Sequence, residues 1–167
     1  MNYYKDLVND PRVTVNTGTR KYEDLWTSGD VFVITHPDAD PAIIAESDMT
    51  FMWLSNGDDA FGLVDAVTGL VIDIIGDRGP DPGDGWDVAG VENATMDHTL
   101  VRKSSVETGN SDWESSSGTD ISDSEWLVYD HLVWSNLGFH NMGGAEAPLV
   151  SIENISPEKN IYISLSN

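Results

Sequence analysis

Residues 51–75 read FMWLSNGDDAFGLVDAVTGLVIDII and contain three short apolar runs separated by two turn signals. The first signal, Asn56–Gly57, favours a positive φ and predicts a hairpin between the runs on either side of it. The second signal, Thr68–Gly69, leads into the almost continuous apolar run at 70–75. Short runs rich in Val, Ile and aromatic residues and bounded by Gly, Asn, Asp and Ser are typical of β-strands. This stretch therefore predicts three consecutive strands.

The rest of the chain repeats the pattern, with one exception. At 40–46, Asp40 is suited to cap a helix and Pro41 to occupy its first position, which predicts one short helix. The two long stretches at 76–90 and 104–124 read as ordered loops, and Trp113 in the second is expected to cover the edge of the core. One helix among six or seven strands predicts an all-β, immunoglobulin-like β-sandwich. The further strand-like runs are 31–34, 99–102, 126–129 and 161–165.

Several motifs resemble the bacterial branch of the lamin-tail domain family, in the order that the family has them, over roughly residues 27–140. This resemblance implies an immunoglobulin-like β-sandwich without catalytic residues, typically a module of a large secreted or surface protein. Such modules often lie beside extracellular nucleases, phosphatases or adhesive repeats. The motifs are SGDVFVI (28–34), WLSNGDDAFGLV (53–64), VIDIIG (71–76), GWDVAG (85–90), DHTLVRK (97–103), NSDW (110–113) and DSEW (123–126).

The resemblance divides the chain into three parts. Residues 1–27 are expected to be the remnant of a truncated domain opening, and residues 28–140 the sandwich itself. Residues 141–167 are expected to be a linker and a C-terminal strand, or the start of a following domain. A missing opening strand leaves an unpaired sheet edge, which tends to recruit another strand. Two segments are candidates for that role, 12–15 and 161–165, and the second alternates better.

The charge balance excludes several classes of partner. The chain has 29 acidic against 8 basic side chains and a net charge of −21. Such a surface repels phosphate backbones and anionic membranes, so neither nucleic-acid nor membrane binding is expected. The absence of cysteine excludes disulfides, thiolate zinc sites and a cysteine nucleophile. The first residues hold no apolar signal core, and the chain is expected to be extracellular or at the cell surface with its export signal outside this sequence.

The sequence shows no catalytic motif, and we predict that the chain is not an enzyme. Carboxylates are so abundant that no pair of them singles out a hydrolytic site. The four histidines lack metal-binding spacing, and no Gly-x-Ser-x-Gly elbow or phosphate-binding glycine loop is present.

Calcium is the one cofactor for which the sequence offers a physical case. Asp81, Asp84 and Asp87 are spaced three apart in a loop rich in Gly and Pro, and Asp38 with Asp40 forms a second pair. Neither group matches the spacing of an EF-hand loop. The alternative is that these residues cap turns and the short helix.

Asp73 interrupts an apolar strand, and a half-buried carboxylate needs a partner. Arg102 lies inside another predicted strand and is suited to bind a carboxylate through two nitrogens. We therefore predict an ion pair between these two residues.

These observations predict a non-catalytic structural, adhesive or interaction module whose partners are neighbouring domains of its parent and an extracellular glycan or protein. The alternative is an accessory domain that positions the substrate of an extracellular hydrolase such as a nuclease or phosphatase. A parent with a hydrolase domain next to this chain would favour the accessory role, and tandem β-modules the adhesive one.

Overall fold

The computed structural model describes residues 31–65, 67–79 and 81–141, together with the backbone of two outlying strands. In these residues short strands predominate, joined by turns, and two helices of five residues each interrupt them. The elements are β1 (Val13–Val15), β2 (Val31–Thr35), α1 (Pro41–Ala45), β3 (Met49–Phe51), β4 (Phe61–Val64), β5 (Val71–Ile75), β6 (Thr99–Arg102), α2 (Trp113–Ser117), β7 (Trp126–Tyr129) and β8 (Ser164–Ser166).

The largest sheet has four strands in the order β1-β3-β2-β8. β2 and β3 are parallel, and α1 lies in the connection between them. The two outer strands are antiparallel to their neighbours, with Val13 opposite Phe51 and Val31 opposite Ser166. β1 lies within the candidate segment 12–15, and β8 overlaps the last two residues of the candidate segment 161–165, so a part of each candidate pairs with the sheet, one at each edge.

Helix α1 begins as the sequence predicts. The Asp40 side chain accepts a hydrogen bond from the Ala42 backbone nitrogen at 2.8 Å, and Pro41 is the first helical residue. This bond satisfies one of the amide groups that the first turn of a helix leaves unpaired. Ile43 is buried and packs with Ala39 and Trp134, so the helix closes a small core against the segment that follows β7.

The predicted hairpin at Asn56–Gly57 is wrong. The Ser55 hydroxyl accepts hydrogen bonds from the amides of Gly57 and Asp59, and Thr95 Oγ1 donates to the Gly57 carbonyl at 2.7 Å. The Thr95 bond connects the turn to the segment around Thr95, and β3 and β4 belong to different sheets. β4 pairs instead with β5 across the predicted Thr68–Gly69 turn.

The second hairpin-like pair consists of β6 and β7, which are antiparallel with Arg102 opposite Trp126. Between them lies α2, a helix in a stretch that the sequence predicts as loop. Its first residue, Trp113, is buried and tilted against Trp126 at a centroid distance of 6.3 Å. The prediction that Trp113 covers the core is confirmed. The buried members of this main core are Ile74, Val88, Ala94, Trp113 and Trp126.

The fold class is confirmed in its coarse form, a mostly β protein, and the described residues contain two short helices in place of the one predicted. The described strands form one four-stranded and two two-stranded sheets, without the topology of a sandwich. The parallel pair β2–β3 also departs from the antiparallel sheets of immunoglobulin-like domains. Except for β1, Asn141 and β8, the proposed parts 1–27 and 141–167 lie outside the described residues. Neither described helix has the length and apolar character that a membrane crossing requires.

Candidate functional site

A group of paired charged side chains centres on Arg102, at the end of β6. Its Nη2 lies 2.7 Å from Oδ1 of Asp73 on β5, and its Nη1 lies 2.6 Å from Oε2 of Glu125. The guanidinium is largely buried, with 12% of the side chain exposed, and the two carboxylates are about three-quarters buried. The predicted ion pair between Asp73 and Arg102 is confirmed, and Glu125 is a second partner that the sequence did not reveal.

Asn110 ties the same carboxylates to the loop that precedes α2. Its backbone nitrogen donates to Asp73 Oδ1 at 3.0 Å, and its side-chain nitrogen donates to Glu125 Oε1 at 3.0 Å. The Asn110 carbonyl in turn accepts from the Ile74 backbone nitrogen at 3.2 Å. The loop therefore lies along β5 on the side away from β4.

The aromatic ring of Trp126 lies against the guanidinium group of Arg102. The guanidinium carbon lies 4.0 Å from the centroid of the Trp126 ring, a cation–π geometry. The indole nitrogen donates to the hydroxyl of Ser116, a fully buried residue of α2, at 2.9 Å. The ring thus connects the charged groups to the main core. We call Asp73, Arg102, Asn110, Glu125 and Trp126 the Arg102 cluster.

The geometry of the Arg102 cluster is that of a structural contact that connects strands. Asp73 Oδ1 accepts from Arg102, Asn110 and the Ile74 amide, and both oxygens of Glu125 accept hydrogen bonds. Charges removed from water need such saturation because an unpaired buried charge is strongly destabilising. The cluster joins β5, β6, β7 and the loop before α2.

The predicted calcium ligands are placed separately. In the first loop, Asp81 accepts from the Gly83 amide at 2.8 Å and Asp87 from the Asn93 amide at 2.9 Å, while Asp84 is exposed. These bonds are those expected of carboxylates that cap turns.

The second predicted pair also has local roles. Asp40 caps α1. Asp38 is exposed, and its carboxylate lies 3.9 Å from Nδ1 of His36. Within the described ranges, no group of three or more His, Asp or Glu side chains is arranged to hold a metal ion.

The calcium site remains a prediction with a direct test. A cation that binds the folded chain and not the unfolded chain raises the melting temperature, and the rise grows with the ratio of the free cation concentration to its dissociation constant. If calcium binds in the loop from Asp81 to Asp87, millimolar calcium raises the melting temperature relative to a chelator, and Asp84→Asn diminishes that rise. The matched control is Asp130→Asn, which removes the same charge from another exposed position. Identical melting curves of the native chain in calcium and in chelator would contradict calcium binding by the folded chain.

Three further aspartates hold exposed turns by accepting hydrogen bonds. Asp65 accepts from Val67 and Thr68, Asp120 from Ser122, and Asp123 from the residues around Thr119. These hydrogen bonds lower the pKa of each carboxyl group. The largest cause is a hydrogen bond from a backbone amide for Asp65 and Asp123, and the hydrogen bond from the Ser122 hydroxyl for Asp120. All three turns therefore favour the ionised carboxylate.

These lowered pKa values predict a loss of stability in acid. A group with a lower pKa when folded stabilises the protein above its unfolded pKa of about 4, and this contribution disappears as the pH falls through the folded value. Asp123→Asn should therefore lower the melting temperature more at pH 7 than at about pH 3. Asp130→Asn, which alters no hydrogen bond of a turn, should show no such difference. An equal effect of Asp123→Asn at both pH values would contradict the assignment.

Comparison of the chain with protein-family models, with curated proteins and with solved structures finds no match.

Proposed function

We propose that the chain is a non-catalytic structural or interaction module, of the lamin-tail type, in a larger secreted or cell-surface protein. The Arg102 cluster carries this proposal. Arginine and paired carboxylates are the groups that many hydrolases use, and here they are bound to one another across β5, β6 and β7. Groups that are paired in this way are not free to meet a substrate, and removing one partner destabilises the fold.

The proposal includes an immunoglobulin-like arrangement of the two small sheets. It is supported by the main core, to which Ile74 of β5 and Trp126 of β7 both contribute buried side chains. The location outside the cell is supported by the net charge of −21, which suits solubility in salty water. It is also what the lamin-tail resemblance implies.

The test is a set of turnover assays on the purified full chain with DNA, a phosphomonoester and a glycan. We expect no turnover above buffer with any of them. Reproducible turnover that disappears in Asp73→Asn or His131→Ala would overturn the proposal. A parallel melting experiment on each variant distinguishes loss of activity from loss of folding.

A further inference from the structure

Strand β4 has an open edge. One long side pairs with β5, and within the described part of the chain the other side makes no backbone hydrogen bond. The far side of β5, in contrast, is occupied by the loop that carries Asn110. The outer edge of β4 is therefore the available edge of this hairpin.

The register shows which backbone groups face outward at that edge. The Ile74 amide donates to the Asn110 carbonyl and so points away from β4. In an antiparallel pair the N–H and C=O of one residue point to the same side, so Ile74 belongs to a pair without mutual hydrogen bonds. Its partner is Gly62. The N–H and C=O of Gly62 therefore point away from β5, into the open edge.

Gly62 makes these groups accessible. The residue is exposed and has no side chain to cover its backbone. β4 also lacks the lysine or proline that commonly protects an edge strand, and the irregularity opposite Leu63 and Val64 places its extra residue on β5. Such an edge is a template for an added strand.

Apolar and acidic side chains around the edge define what would bind there. Leu63, Leu70 and Ile72 are 38%, 67% and 45% exposed on this hairpin. Acidic residues lie at both ends of β4, with Asp58 and Asp59 before it and Asp65 directly after it. A matching strand has apolar side chains in its middle and basic side chains at both ends. A second copy of the chain is a poor match, because antiparallel pairing of two β4 edges brings these carboxylates together.

We propose that the open edge of β4 receives an extended segment of a partner protein, with an apolar centre and Lys or Arg at both ends, as an added β-strand. This inference rests on the proposed function, since it gives the interaction module its binding surface and its class of partner. The backbone of Gly62 supplies the hydrogen bonds, and the flanking aspartates supply the charge preference.

The first experiment uses the isotopically labelled full chain and a synthetic peptide of about seven residues, alternating Val and Thr, with lysines at both ends. We expect the peptide to shift the amide resonances of β4 and to slow hydrogen exchange at Gly62. A peptide with Glu in place of Lys should bind at least about tenfold more weakly, and salt should weaken binding of the lysine peptide. Shifts confined to other parts of the chain would overturn the inference.

The second experiment compares two substitutions at one position. Gly62→Pro removes the outward N–H and is compatible with an edge strand, because that N–H makes no bond to β5. Gly62→Val keeps the N–H, and its Cβ has room, with the Asp73 carbonyl oxygen 3.8 Å away. We expect the proline variant to lose about tenfold or more in affinity for the lysine peptide and the valine variant to retain binding. Equal binding by both folded variants would overturn the inference.

A charge reversal at Asp59 tests the same inference if Gly62→Pro does not fold. Asp59→Lys changes an exposed side chain next to β4 and should weaken binding of the lysine peptide while strengthening binding of the glutamate peptide. An unchanged preference would overturn the basic partner, as would a dimer of the free chain with a protected Gly62 amide. Failure of all peptide binding leaves the non-catalytic role standing, because turnover assays test that role separately.

Discussion

Replacing Arg102 with alanine is expected to lower the free energy of unfolding by about 3 kcal/mol, because it leaves two largely buried carboxylates without their shared cation. Asp73 and Glu125 would then face each other across the space that the guanidinium occupies. The contact with the Trp126 ring would be lost as well. Urea unfolding, followed by tryptophan fluorescence, measures the change.

Two further variants identify the cause of this loss. Arg78→Ala removes the same charge from an exposed position and should change the free energy of unfolding by less than about 0.5 kcal/mol. Arg102→Lys keeps the charge but replaces the planar fork that reaches both carboxylates, so an intermediate loss is expected. If Arg102→Ala were as stable as Arg78→Ala, the Arg102 cluster would not have the structural role assigned to it.

Gly118→Ala is expected to be at least as destabilising. Gly118 follows α2 with φ of 66° and ψ of 174°, a conformation that almost only glycine adopts. A Cβ there would lie 2.5 Å from both the Cα and the backbone nitrogen of Ser124, where no flexible side chain can move aside. The added strain and crowding together predict a loss of about 3 kcal/mol or more.

Gly69→Ala is the matched control. Gly69 also has a positive φ, of 73°, but a Cβ at this position meets no atom within 4 Å. It should cost about 1 kcal/mol, from the backbone conformation alone. Thermal melting of both variants compares a positive-φ glycine in open space with one that is both crowded and held in a conformation restricted to glycine. Similar losses would show that the segment around Ser124 yields easily to the added methyl group.

The strands were predictable where apolar runs are bounded by turn residues, as at 31–34 and 126–129. The wrong hairpin at Asn56–Gly57 shows the limit of such local signals. The turn has the expected positive φ at Gly57, but the direction of the chain beyond it depends on a contact with Thr95, far along the sequence. Nothing in the sequence near Asn56 reveals that contact.

Helix α2 and two members of the Arg102 cluster were missed for related reasons. The helix reads WESSS, and serine has low helix propensity, so α2 depends on the cap from Asp112 and on the burial of Trp113. Asp73 was recognisable because it interrupts an apolar strand. Glu125 and Asn110 lie in polar segments, where such residues usually face water, and only tertiary contacts give them their role.

The four-stranded sheet also determines the order in which parts of the chain can meet. β4 and β5 are separated by a short turn, so their pairing requires little loop closure and is fast. β2 pairs with β8, Val31 opposite Ser166, and this contact closes most of the chain into one loop. During synthesis, one edge of β2 therefore stays unpaired until residue 166 has left the ribosome. In that interval the unpaired edge exposes the nascent chain to aggregation.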